Sequence, residues 1–239
     1  MCFQDAVRTL ANYSAKNTSA CISVDTPKHL HERHFKAPEA LNGQYKCVWT
    51  YLVRTRKIPK EIVEGLFENG TLYQSNEHRN CVFLSNTCKY AEIVGTTHIK
   101  FKKIERDSDP DGFWLVGDKN SDTVYVCESA IDAISLMLLQ QKYNPKITAC
   151  YASIGGVKDK AIDKLKSMFK KVIIAVDNDE KAYEFRDKHT DLFNIVPPAK
   201  LGNNGQLIKD WNDVLCFCDN ADVIKKSLTD GFYDRNLPF

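Results

Sequence analysis

Two acids one residue apart, Asp177 and Asp179, close the apolar run Val172–Val176, and Glu128 closes another, Val124–Cys127. A buried strand that stops in carboxylates is either a turn or a site. Two ionised carboxylates about 4 Å apart repel by about 4 kcal/mol at an effective dielectric of about 20. A divalent cation removes that penalty. Magnesium takes oxygen ligands, keeps several waters, and is held by one or two carboxylates plus substrate phosphates. On this reading Asp177 and Asp179 hold the cation and Glu128 is free to move a proton. The competing reading is structural. Asp and Asn are favoured N-cap residues, so 177–179 can cap the helix that follows, and Glu128 can face a helix dipole from a first turn. Capping accounts for each acid singly but not for their place at one sheet edge.

The elements that would position these acids follow from hydrophobic periodicity. From Thr123 the chain alternates: strand 123–128, helix 129–142, strand and glycine turn 147–156, helix 158–169, strand 171–177, helix 180–189, strand 192–198. Near-continuous apolar strands between helices predict an α/β fold with a mostly parallel sheet covered on both faces, and ligands in such sheets bind beyond the carboxyl ends of the strands. There Glu128, the turn Ser153–Gly156 and Asp177–Asp179 share one edge, with Gly155 and Gly156 letting backbone approach the site. Upstream, residues 44–56 and 58–70 carry helical spacing, and 71–74, 81–85, 90–95 and 113–117 read as short strands, which makes a small α+β unit. The expected organisation is a terminal helix at 1–15, a polar linker at 16–40, the α+β domain at 41–119 and the α/β domain at 120–239.

Composition narrows the function. The 33 basic and 31 acidic residues nearly cancel, so contact with phosphates requires a local patch. The basic runs Arg54–Lys57, Lys100–Lys103 and 164–171 are candidates to meet a nucleic-acid backbone, against the commoner reading of such runs as solvated faces. The nine cysteines include no Cys-x-x-Cys pair, which points to reduced thiols and no zinc, and His29, His31 and His34 read as part of a solvated linker. No apolar run reaches the roughly 20 residues that span a bilayer, so the chain is expected to be soluble and cytoplasmic, with no membrane partner. Trp211 sits beside Val214 and Leu215 and reads as a packing anchor.

The order VYVCESAIDAISL, SIGG, VIIAVDNDE and KDWNDVL resembles the Toprim domain of bacterial primases, type IA and II topoisomerases and related nucleases. The resemblance implies Glu128 as general acid/base, Asp177 and Asp179 as catalytic metal ligands, and Glu128 and Asp132 as further members of the ligand set. Asp210 matches a downstream acid, and Lys158 and Lys209 are the implied phosphate contacts within the domain. The segment from Tyr51 to Gly117 looks like the helical and β unit that precedes Toprim in primase-like proteins of plasmids and integrative conjugative elements, a domain of unknown function, and it would bring Arg79 to face the metal. CFQDAVRTLA resembles the closing helix of the primase zinc ribbon, which implies a fragment or a shortened relative. Two positions depart from the pattern: Thr96 stands where an arginine is expected, and Lys181-Ala182 replaces a glycine after Asp-x-Asp. The function so implied is Mg²⁺-dependent (or Mn²⁺-dependent) nucleotidyl transfer by a primase-like protein of a mobile element. Its partners would be single-stranded DNA or primed nucleic acid, nucleotides, and a relaxase or helicase of the same element. The alternatives are a DNA-cleaving nuclease and an inactive nucleic-acid-binding module.

Overall fold

The structure, a computed structural model, describes residues 34–229. The expected terminal helix, most of the linker, and His29 and His31 lie outside the described residues. The first sheet comprises β1 (Leu72–Gln74), β2 (Cys81–Leu84), β3 (Ala91–Val94) and β4 (Lys102–Ile104), antiparallel and in sequential order. It follows a helical hairpin of α1 (Lys46–Thr50), a π-turn (Tyr51–Thr55) and α2 (Lys60–Glu68).

The second sheet has five strands in the order β5-β7-β6-β8-β9. These are β5 (Trp114–Gly117), β6 (Thr123–Cys127), β7 (Cys150–Ser153), β8 (Lys171–Ile174) and β9 (Phe193–Asn194). All are parallel except β5, which runs antiparallel to β7. Helices α3 (Ala130–Tyr143), α4 (Asp159–Met168), α5 (Glu180–Lys188), α6 (Trp211–Phe217) and α7 (Ala221–Thr229) cover it. The central strands β6, β7 and β8 are largely apolar because both of their faces are covered. Val124, Val126, Ala152, Val172 and Ile174 pack with Ile162 and Leu165 of α4 and Phe185 of α5, whereas Tyr125, Cys127, Tyr151 and Ile173 pack with α3. Helix α3 also lies against α6 and α7, and its apolar residues run around the whole circumference rather than along one stripe.

The two sheets share a core. Trp114 of β5 donates its Nε1–H to the Thr71 carbonyl at 3.0 Å and meets the Phe83 ring edge-on at 5.3 Å. Among the described residues the cysteines are free thiols, and no helix is long and apolar enough to cross a membrane.

Local patterning placed most elements and missed three features. The strand at 113–117, assigned to the upstream unit, pairs with β7, so the change of sheet falls between Ile104 and Trp114. An alternating pattern identifies a strand but not its hydrogen-bonding partner. The basic run 100–103 contributes to β4, an edge strand whose lysines leave its free side unattractive to further pairing. The strand expected at 192–198 is reduced to two residues, Phe193–Asn194.

The parallel registers Cys127 with Ser153 and Val126 with Ile174 bring the ends of β6, β7 and β8 level. The turn after β7 requires glycine. Gly155 has φ +64°, and a Cβ there would lie 2.1 Å from Cδ1 of Ile104 and 2.3 Å from the Tyr90 hydroxyl. Gly155→Ala is expected to lower the unfolding free energy by about 2 kcal/mol. Gly205→Ala, at φ +75° in open space, isolates the backbone contribution and should lose less; denaturant unfolding of the two variants measures the difference.

Candidate metal centre

Each acid reaches the site through a different element. Glu128 follows β6 directly, and the Ser129 side chain caps α3 by accepting from the Asp132 N–H at 3.1 Å. This cap turns the first helical turn toward the strand ends and buries Asp132, which also accepts a hydrogen bond from the Ser129 hydroxyl. Past β8 the chain stays beside β6, with Ala175 N–H donating to the Val126 carbonyl at 2.8 Å, and Asp177 emerges next to Glu128. The Asp177 N–H donates to Glu128 Oε1 at 3.3 Å. Asp210 arrives as the N-cap of α6, accepting from the Asp213 N–H at 2.6 Å. Its approach is set by Trp211, wholly buried, whose Nε1–H donates to the Ala175 carbonyl at 2.8 Å, and by the Asn178 N–H, which donates to the Lys209 carbonyl at 2.7 Å.

The result is three carboxylates, Asp132, Asp177 and Asp210, each with an oxygen within 4.8 Å of the others. Burial and then the Asp132, Glu128 and Asp210 charges push Asp177 up to about 10. Burial and the neighbouring Asp132 and Asp213 push Asp210 up to about 8. Asp132 is raised by burial, and Glu128 by burial and the charge of Asp179. The Oδ1 atom of Asp177 is buried without a hydrogen-bond partner. A carboxylate with an orphaned oxygen, clustered with two further carboxylates, fits a hard divalent cation, because the donor set is all oxygen.

The sequence-expected residues divide. Asp132, Asp177, Asp210 and Glu128 converge. Asp179 caps α5, accepting from the Ala182 N–H at 3.0 Å, much as Asp210 caps α6, and its charge acts on Glu128 beside the cluster. Gly156 N–H donates to the Glu128 carbonyl at 2.8 Å, which ties the glycine turn to the end of β6. Lys158 lies over the Tyr90 ring at 4.9 Å, its ammonium disfavoured by burial. Lys209 is exposed and contributes its main chain as described. Arg79, expected to face the metal, lines a cavity of about 700 Å³ with Tyr45, Lys46, Trp49, Glu64 and Gln74, and none of the clustered acids lines it. Its position is set by a turn in which His78 and Arg79 both have left-handed backbone.

Several residues beside the cluster were not singled out by the sequence, although Lys102 and Arg56 lie in two of its basic runs. Lys102 of β4 donates to the Glu128 carbonyl at 2.9 Å and pairs with the fully buried Glu92 of β3 at 3.7 Å. Arg56 donates to Tyr51 Oη at 2.7 and 2.8 Å and to Asn212 Oδ1 at 3.2 Å, while Asn212 N–H donates to Asp132 Oδ1 at 3.2 Å. Arg186 of α5 donates to the Asp177 carbonyl at 2.9 Å from beneath the loop. One signal was available: Glu92 is a lone acid inside the apolar run YAEIVG. For Arg56 and Arg186 nothing local marked a partner so distant along the chain.

Residues 125–215 match the family described as Toprim-like, and residues 50–116 match a protein of unknown function, DUF3991. The primase fragment of the bacteriophage T7 primase-helicase protein has a similar fold: 16% identity, 82% of this chain and 80% of that one covered, TM-score 0.54. A DNA primase domain from Pseudomonas aeruginosa aligns at 12% identity over 75% of this chain and 62% of that one, with a TM-score of 0.43. No curated protein matches. At such identities the T7 likeness is one of fold.

The raised acids set a pH dependence. Between the ordinary carboxylate range and about 10, folded Asp177 keeps a proton that the unfolded chain has lost. Its contribution to stability is therefore present at low pH and lost as pH rises through that interval, with a slope of at most about 1.4 kcal/mol per pH unit for each proton. Asp177→Asn should stabilise the protein in chelator, more at pH 8 than at pH 5. Thermal unfolding at the two values checks the sign.

Proposed function

We propose that this chain, a Toprim-like domain preceded by a DUF3991 domain, catalyses metal-dependent nucleotidyl transfer on nucleic acid as a primase-like enzyme. The observation that carries the reading is the convergence of Asp132, Asp177 and Asp210 within 4.8 Å, with an unpartnered Asp177 oxygen, at the strand ends of a Toprim-like domain. These three residues would hold magnesium or manganese, which when bound supplies charge neutralisation on the phosphate oxygens.

The chain's own residues do the rest. Glu128 uses Oε1 to accept the Asp177 N–H, which leaves Oε2 to take a proton from an attacking hydroxyl. Its raised basicity, from burial and the charge of Asp179, suits that role. Arg56, through Asn212, fixes the orientation of Asp132, and Arg186 fixes the Asp177 main chain. Lys102, Lys158 and the exposed Lys209 supply positive charge around an acidic centre, as a polyanionic substrate requires. The proposed substrates are single-stranded or primed DNA and nucleotides. The proposed setting is the cytoplasm, in the replication or transfer of a mobile element alongside its relaxase or helicase. The likeness in fold to a fragment of a primase-helicase protein supports the helicase as a partner.

Incubation with labelled single-stranded DNA, nucleotides and Mg²⁺ or Mn²⁺ tests the reading. Extended products are expected from the wild type, abolished by chelator, and reduced about 10²–10⁴-fold by Asp177→Asn or Glu128→Gln. Metal-dependent shortening without nucleotides would replace the reading with a nuclease, and binding without any product would leave a nucleic-acid-binding module.

A further inference from the structure

Glu92 has no part in the chemistry above, yet it is a fully buried acid from the upstream sheet placed against the ends of the second one. Its Oε2 accepts from the Ser153 hydroxyl at 2.6 Å, where β7 ends. Both of its oxygens accept from the Ala130 N–H at 3.3 Å, at the start of α3. Among the described residues the Lys102 ammonium makes one ion pair, with Glu92, and its other bond is to the Glu128 main-chain carbonyl. The ammonium therefore rests between a buried carboxylate and a backbone oxygen at the rim of the acidic cluster.

We propose that Glu92 is a positioning residue that holds the Lys102 ammonium away from the position a divalent cation would take among Asp132, Asp177 and Asp210. This inference rests on the metal reading of that cluster. After Glu92, the carboxylates that act most strongly on Lys102 are Asp132, Asp177 and Glu128, in that order. Burial disfavours the charge of Glu92, and Lys102, Ser153 and the Ala130 N–H favour it; without that carboxylate, nothing paired to the ammonium opposes the swing of a flexible lysine arm toward the cluster, where it competes with a cation. The first-sheet domain thus sets how open the centre is to metal. A purely structural role, in which Glu92 only satisfies Ser153 and the α3 N-terminus, alters stability and leaves metal affinity alone.

The two roles separate in a double-mutant cycle read by Mn²⁺ binding, followed by electron paramagnetic resonance on the full chain at fixed pH. Glu92→Gln is expected to weaken Mn²⁺ binding about three- to tenfold, the scale of coupling between contacting charges. Lys102→Met should tighten it, and in the Lys102→Met background Glu92→Gln should have no further effect. Should Glu92→Gln fail to fold, Ser153→Ala removes the 2.6 Å bond that orients Glu92 and should shift affinity in the same direction by less. Equal weakening in both backgrounds, or a fall in melting temperature with unchanged affinity, overturns the proposal. A wild type with no Mn²⁺ site sensitive to Asp177→Asn overturns the metal reading and this inference together. An intact site indifferent to Glu92 overturns this inference alone.

Discussion

Mutual repulsion of carboxylates in a partly dehydrated place is the constraint on which the rest of the structure depends. Asp132, Asp177 and Asp210 are held within 4.8 Å, and the scaffold does not relieve this by pointing them outward. It fixes each one through a separate device: a helix cap for Asp132, a strand end for Asp177 and an N-cap for Asp210. Protonation is the response available to the metal-free protein: burial raises all three acids, and neighbouring carboxylates push Asp177 and Asp210 up further. The cations nearby are attached differently. Lys102 bonds a main-chain carbonyl, Arg56 an amide oxygen, and Arg186 two backbone carbonyls, so each steadies the frame around the acids.

The centre is not self-contained within the Toprim-like segment. Lys102 and Glu92 come from the first sheet, and Arg56 from the turn after the first helix, so three charged groups around the acids originate in residues 50–116. Asn212 is the joint: it donates to the Arg56 carbonyl at 2.9 Å and to Ser135 at 3.0 Å while its own N–H meets Asp132. The shared core through Trp114, Phe83 and Thr71 makes this attachment rigid.

The departures from the Toprim pattern have local explanations. Ala182, in the stretch where a glycine was expected, is fully buried, and its N–H bonds Asp179, so α5 begins as an ordinary capped helix with room for the methyl group. Thr96, in place of an arginine, donates its hydroxyl to the Arg79 carbonyl at 3.2 Å and ties down a turn instead of presenting charge. Positive charge at the centre comes from Lys102 instead, one strand further on.

By itself the sequence determined the mostly parallel sheet, the order of its helices and the strand ends at which Glu128 and Asp177 appear, because these follow from local periodicity and from acids that interrupt it. It also contained the two roles open to an Asp-x-Asp pair. Only the tertiary structure showed Asp179 capping α5 and Asp177 joining Asp132 and Asp210, because that depends on where α3 and α6 deliver those two acids. The same holds for β5, which joined the second sheet, for Arg79, which turned to a different cavity, and for Lys102 and Glu92, which meet the acids across the seam between two sheets. Contacts between residues dozens of positions apart are set by packing and register, and neither leaves a mark in the local pattern of a chain.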